Sequence, residues 1–224
     1  MITLISIFFI ACGLPRYLYL EPPIDIQKPE TARKSFIFRH NTANFSENVE
    51  GYSIYYKFYS TEIPNSYSSD DNYYGRYDFE NETRKTPNEI QNEGFRLLNR
   101  VDGATSYPAQ KPTIPLNDNQ LSSQTEIRID FSEVLLSGTN APSVSIGGSL
   151  SNYTLYRAVA TSETESGYKG FQKEDILLSD IDVPNDLNEN FIEINLVLYA
   201  ATYGKFNLLT EGETYVKYLG FISI

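Results

Sequence analysis

The chain has 224 residues, 41% of them hydrophobic, with 18 Lys and Arg against 29 Asp and Glu and a net charge of −11. That apolar fraction is enough for one sizeable core and excludes a disordered chain. Acidic balance and scattered basic residues exclude nucleic acid as a partner, because such binding draws on clustered Lys and Arg to displace phosphate counterions. They also give an anionic bilayer no electrostatic hold on the domain. With 18 Tyr, 13 Phe and no Trp, the composition favours strands, whose pleated, half-buried surface suits aromatic side chains.

Residues 2–11, ITLISIFFIA, form an apolar run about half the length a helix needs to cross a bilayer. It fits the apolar region of a secretory signal peptide covering residues 1–11. The run ends at Cys12, the only cysteine, so no intramolecular disulfide is possible. The stretch FFIACG resembles the lipobox of bacterial lipoproteins, with Ala11 as the small residue before the cut and Gly13 after the cysteine. That resemblance implies cleavage before Cys12, a diacylglyceryl thioether on its sulfur and an acylated new N-terminus. It makes membrane lipid a partner and the bacterial cell envelope the location. Gly13, rather than Asp, points to the outer membrane by resemblance to enterobacterial lipoproteins. Phe9 stands where the pattern usually has Leu, and no Lys or Arg precedes Arg16; this looser form is similar to that of spirochaete lipoproteins. The alternative makes 2–11 a buried first strand and Cys12 a core thiol. Residues 12–23, with Pro15, Pro22 and Pro23, read as a lipidated tether into an edge strand. Residues 24–224 then form one domain.

Along that domain, SFIFR (35–39) places Phe36 and Phe38 on one face, and GYSIYYKFYS (51–60) places Tyr52, Ile54, Tyr56 and Phe58 together. Tyr55 and Tyr59 on the opposite side predict a central strand covered on both faces. From about 60 to 123 the pattern gives way to a long loop-rich insertion. Within it one short helix is expected, capped by Thr86 with Pro87 at the first position and Glu89 completing a capping box. Ile90, Leu97 and Leu98 would form its buried stripe, weakened by Gly94. YPAQKPTIP (107–115) reads as an extended connection outside any ladder. Alternation resumes in TEIRIDF (125–131), with Ile127, Ile129 and Phe131 inward. PSVSIGG (142–148), YTLYRAV (153–159), NFIEINLVLYAATYG (190–204) and ETYVKYLGFISI (213–224) complete the strands, with Ile192, Ile194, Leu196 and Leu198 inward.

Several short strands and little helix predict a mainly β fold, an antiparallel β-sandwich. GYSIYYKFY resembles the third strand of a fibronectin type III domain, and INLVLYAATYG with ETYVKYLGFISI resembles that family's closing hairpin. The resemblance implies a fibronectin III or immunoglobulin-like sandwich, without the family's core Trp and with the large insertion added. It implies no function.

His40 is the only histidine, so a multi-histidine metal site is excluded. A Ser-His-Asp triad would need His40, and no GxSxG elbow or phosphate-binding glycine motif occurs. Carboxylates are plentiful, which keeps open an envelope enzyme acting on glycans through paired acids. Calcium is the one cofactor considered, at Asp70 with Asp71 or at Asp180, Asp182 and Asp186, and no EF-hand spacing supports it. Solvated acidic loops are the alternative. NSYSSDDNYYGRYD (65–78) combines Tyr with small polar residues in the manner of antibody loops. Tyr73, Tyr74 and Tyr77 are therefore candidate binding residues for an envelope protein or a glycan; the alternative is a solvated insertion. The leading expectation is a lipid-anchored envelope protein with a structural or binding role and no catalytic residues.

Overall fold

The computed structural model describes residues 20–29, 34–44, 46–60, 84–102, 105–107, 110–122, 124–132, 134, 141–159, 168–187, 194–207 and 210–224. Cys12, Asp70, Asp71, Tyr73, Tyr74, Tyr77 and Ile192 lie outside these residues.

Two antiparallel sheets face each other. The first runs in the order β1 (Ile24–Gln27), β2 (Ser35–Arg39), β8 (Glu126–Asp130), β9 (Ser143–Ile146), β10 (Ser149–Ala158), β5 (Asn99–Asp102) and β6 (Thr105–Tyr107), with β11 (Tyr168–Lys169) also on β10. The second is built on β12 (Asn195–Asn207) and β3 (Val49–Tyr59). The other edge of β12 carries β13 (Thr210–Glu213) and β14 (Lys217–Ser223) in succession. The free edge of β3 carries β4 (Arg96–Leu97) and β7 (Ile114–Pro115).

Side-chain alternation decides the sandwich. Phe36, Phe38, Ile127, Ile129, Val144 and Leu155 from the first sheet meet Tyr52, Ile54, Tyr56, Phe58, Leu196 and Leu198 from the second in one buried cluster. Period-two placement puts those residues on the inner faces. The second sheet is also covered outside, where Tyr55, Val197, Tyr199, Val216 and Tyr218 pack with Ile90, Phe95 and Leu97. Strand β3 is thus central and buried on both sides, as its two aromatic faces predict.

The helix α1 (Pro87–Asn92) has the expected capping box between Thr86 and Glu89. It is shorter than its apolar stripe suggested. Gly94 adopts φ 93°, and the Phe95 amide donates back to the Ile90 carbonyl at 3.0 Å, which ends the helix as a left-handed glycine does. Leu97 and Leu98 are buried, but Leu97 belongs to β4 and Leu98 lies where the chain crosses from one sheet to the other. The stretch 107–115 also differs from expectation at both ends, since Tyr107 pairs with Arg100 where β6 meets β5. Ile114 and Pro115 pair with Tyr52 and Gly51, which is possible because β7 is an edge strand, where a missing proline donor costs no ladder bond. Gly51 permits the approach, since a Cβ there would stand 2.1 Å from the Ile114 carbonyl oxygen.

The strand faces give a direct test. Ile129→Ala and Leu196→Ala each remove a fully buried side chain and should cost about 2–5 kcal/mol in denaturant unfolding. Glu126 makes only a partly exposed pair with Arg128 at 3.0 Å, so Glu126→Ala should cost less than about 1 kcal/mol. Equal losses at all three positions would contradict the assigned faces.

Candidate functional site

The sandwich has two poles, about 33 Å apart along the length of β3. At one of them the N-terminal segment is fixed. The Glu21 amide donates to the Asn44 side-chain oxygen at 2.5 Å, and the Asn44 amide returns a bond to the Glu21 carbonyl at 2.9 Å. The Thr202 hydroxyl reaches the same carbonyl at 2.7 Å, and Leu20 is 2% exposed. His40 lies nearby, just past the end of β2. Its Nδ1 is 2.9 Å from the Tyr52 hydroxyl, and burial lowers its pKa. Its partner is a phenol in the core, which makes this histidine part of the packing.

The opposite pole is organised by a buried arginine. Alternation along β10 points Tyr153, Leu155 and Arg157 inward, so a guanidinium occupies a slot that the pattern reserves for an apolar group. The Arg157 side chain is 0% exposed. A guanidinium has five N–H donors and no acceptor, and every one of these five is met. Nε donates to Asp182 Oδ2 at 3.0 Å, and Nη2 donates to Asp182 Oδ1 at 2.7 Å and Asp180 Oδ2 at 2.8 Å. Nη1 reaches the Asp175 carbonyl at 2.9 Å and the Gly170 carbonyl at 3.4 Å. Phe58 lies beneath the group, its ring centroid 5.1 Å from Cζ.

The surrounding groups complete the network. The Tyr56 hydroxyl donates to Asp182 Oδ2 at 2.7 Å and accepts the Ala158 amide at 2.9 Å. Lys169 Nζ pairs with Asp180 Oδ1, and the Leu177 amide donates to Asp180 Oδ2 at 3.1 Å. Arg157 and Lys169 offset the charges of Asp180 and Asp182. Burial opposes charge on Arg157, but the bonds it donates to Asp182 and then to Asp180 outweigh it and raise its pKa. For Asp180, burial pushes the carboxyl up, and the bonds from Lys169, Leu177 and Arg157 together bring it below its ordinary value.

Asp180 and Asp182 are therefore not solvated loop acids, their side chains being 5% and 2% exposed. Nor do they meet as calcium ligands; they are opposed by a guanidinium, and no cluster of three or more acidic, histidine or cysteine side chains suited to a metal occurs among the described residues. Asp186 stands apart and accepts a bond from the Ser60 hydroxyl. Turning the two acids inward leaves Leu177, Leu178 and Ile181 facing outward, between 41% and 49% exposed. The signal for this hub was present in YTLYRAV, where an arginine falls in phase with inward residues and so demands acids from elsewhere.

Ser60, the last residue described before the Tyr-rich segment, lies at this pole, bonded to Asp186. The chain returns at Arg84, whose guanidinium lies 5.6 Å from the Tyr215 ring centroid, and the Lys85 carbonyl accepts the Val216 amide at 2.9 Å. Beside that return is an open cleft of about 420 Å³ lined by Leu20, Pro87, Phe206, Glu213 and Tyr215, among others. Its carboxylate, Glu213, accepts the Tyr55 hydroxyl at 2.8 Å and pairs with Lys111 at 2.5 Å. A second cleft, of about 430 Å³, opens between Leu116 and the β9–β10 hairpin; both clefts lie toward the N-terminal pole, the first through Leu20.

No protein-family model matches this chain, and no curated protein or solved structure matches it significantly. Among the described residues no helix is long and apolar enough to cross a membrane.

The hub is testable by thermodynamics. Arg157→Ala leaves two carboxylates buried without their cation and should cost about 3–5 kcal/mol. Because Asp180 titrates below its ordinary value when folded, it adds stability that is complete above about pH 4 and is lost as pH falls through the folded value. Urea titrations of the native chain from pH 7 to pH 3 should show that loss, and Asp180→Asn should flatten it. An unchanged midpoint in Arg157→Ala would remove the hub from the stability of the fold.

Proposed function

We propose that this protein is anchored to a bacterial envelope membrane by lipid on Cys12 and that its role there is structural or binding, without catalysis. The observation that carries the reading is the sequence FFIACG, which puts the only thiol of the chain directly after an apolar leader. Several acyl chains on one residue give stable attachment where a single one does not.

The geometry of the fold supports the reading in two ways. From Cys12 to Leu20 the chain can span at most about 30 Å, and Leu20 and Glu21 are locked into the sandwich. A lipid on Cys12 would therefore hold the domain close to the bilayer with the Leu20 pole nearest. Ser60, before the Tyr-rich segment, lies at the far pole, about 33 Å away along β3, and Arg84, after it, lies against Tyr215. Tyr73, Tyr74 and Tyr77 between them are the residues proposed to meet an envelope protein or glycan.

The alternative, a two-acid glycan enzyme, requires a second carboxylate roughly 5–10 Å from the first. Glu213 meets a phenol and an ammonium in its cleft, which favours a structural pairing for that acid. The binding reading is the one retained.

Cys12→Ser tests the anchor. The variant should lose metabolic labelling by fatty acid and leave the detergent phase, while its melting temperature stays that of the unmodified protein. Partitioning of the Cys12→Ser variant into detergent as before would refute lipid attachment at this residue.

A further inference from the structure

We infer that the turn at residues 40–44 is a proton-sensitive clasp on the N-terminal segment, closed while the His40 imidazole is neutral and loosened when the imidazole takes up a proton. That the clasp sets the distance between membrane and domain rests on the anchor proposed above; the clasp itself does not.

The turn grips the N-terminal segment at three points. Asn41 donates its side-chain amide to the Pro22 carbonyl at 3.1 Å. Asn44 accepts the Glu21 amide and donates to the Glu21 carbonyl, to which Thr202 also donates. The turn keeps its own shape through two bonds, from the Ala43 amide to the Asn41 side-chain oxygen at 3.0 Å and from the Asn44 amide to the Asn41 carbonyl at 3.1 Å. Its first residue is His40, 1% exposed, whose amide donates to the Thr125 carbonyl at 3.2 Å.

His40 joins this clasp to the core. Its Nδ1 is 2.9 Å from the Tyr52 hydroxyl, and the Asn41 amide and the Thr202 hydroxyl meet the same phenol oxygen. One polar network thus runs from the imidazole through Tyr52 and Thr202 to the Glu21 carbonyl. A neutral imidazole can accept the phenol's hydrogen bond at Nδ1, whereas an imidazolium can only donate there. Protonation therefore reverses that bond and places a charge almost out of contact with water, which is costly without a counter-ion.

No counter-ion acts on the ring among the described residues. The charges on the surrounding elements are engaged elsewhere: Arg39 of β2 with Asp25 of β1 at 3.7 Å, Glu126 with Arg128 of β8 at 3.0 Å, and Glu50 of β3 with Lys205 of β12 at 3.5 Å. Glu21 is held here through its backbone, and Glu47, just after the turn, is exposed. Tyr52 stays neutral, since burial raises its pKa. Burial is also what moves His40, and it moves it down. Opening the clasp returns the ring to its ordinary value near 6.5, so the open form takes up the proton first. The closed form keeps its full advantage above about pH 6.5 and loses it as pH falls, by up to about tenfold in the open-to-closed ratio per pH unit, until the folded ring itself titrates. Release of residues 20–23 would add about 14 Å to the reach of the tether.

Hydrogen exchange of the full chain in detergent tests the clasp. The Glu21 amide should exchange through a local opening with little denaturant dependence, and that opening, corrected for the intrinsic rate, should grow about fivefold or more between pH 7.5 and pH 5.0. In His40→Gln, whose side chain keeps a neutral donor and acceptor but does not titrate, the growth should be less than about twofold. Because His40 is the only histidine, its ring signals are unambiguous, and they should titrate below 6.5. Should His40→Gln not fold, the two native curves decide: growth that begins near pH 6.5 and levels where the ring titrates upholds the clasp. Growth that is absent or confined below pH 5, a ring titrating at or above 6.5, equal growth in His40→Gln, or a Glu21 amide that opens only with global unfolding would each overturn it. The outcome is separate from the anchor, since Cys12→Ser removes the lipid and leaves this opening and its pH dependence intact.

Discussion

A guanidinium without contact to water stands at the end of β10, and the far pole of the sandwich is shaped by the need to satisfy it. Removing such a charge from water costs several kcal/mol unless its partners are well placed. Here Asp182 takes it in a fork, Asp180 and two backbone carbonyls take the remaining protons, and Phe58 supports its face. The partners all come from 170–182, a segment with hardly any regular structure of its own. Its course is fixed by what it must deliver to Arg157.

The same constraint explains how an irregular segment closes a sandwich. Phe171 enters the core and meets Phe131 edge-on, with ring centroids 5.1 Å apart, and also touches Tyr56 and Phe58. Ile176, Val183 and Leu187 follow it inward. Apolar anchors alone would tolerate several arrangements of such a loop. The arginine fork is directional, and it admits one. At the same pole the Ser60 hydroxyl at the end of β3 donates to Asp186. At the other pole, the bonds among Glu21, Asn44 and Thr202 do the corresponding work for the tether.

Strands with clean alternation could be read from the residues alone: Phe36 and Phe38, Tyr52 to Phe58, Ile127 to Phe131 and Ile194 to Leu198 all face the core. The start of α1 was equally visible, because capping is local chemistry. Its end was not, since Leu97 and Leu98 continue an apolar pattern past Gly94 and only the sheet decides that they belong to a strand and a crossing. Strands as short as β4 and β7 carry too few residues for a period to show. The arginine hub was only half visible, in the inward phase of Arg157 within YTLYRAV. Asp180 and Asp182 look like solvated acids or calcium ligands in SDIDVPND, and their partner lies more than twenty residues earlier, on a strand that brings it to them only after folding. The cleft between Leu116 and the β9–β10 hairpin likewise joins residues of both sheets and has no local signature.

Native-state hydrogen exchange tests the central claim, that Arg157 makes the segment 170–187 one cooperative unit with the sandwich. The amides of Asp180, Val183 and Leu187 each donate within that segment, to the carbonyls of Leu177, Asp180 and Pro184. If the hub holds, they exchange only through global unfolding, with the same free energy and denaturant dependence as core amides of β3 and β12. Exchange of these three by a low-energy opening that is insensitive to denaturant, while β3 and β12 stay protected, would contradict the account.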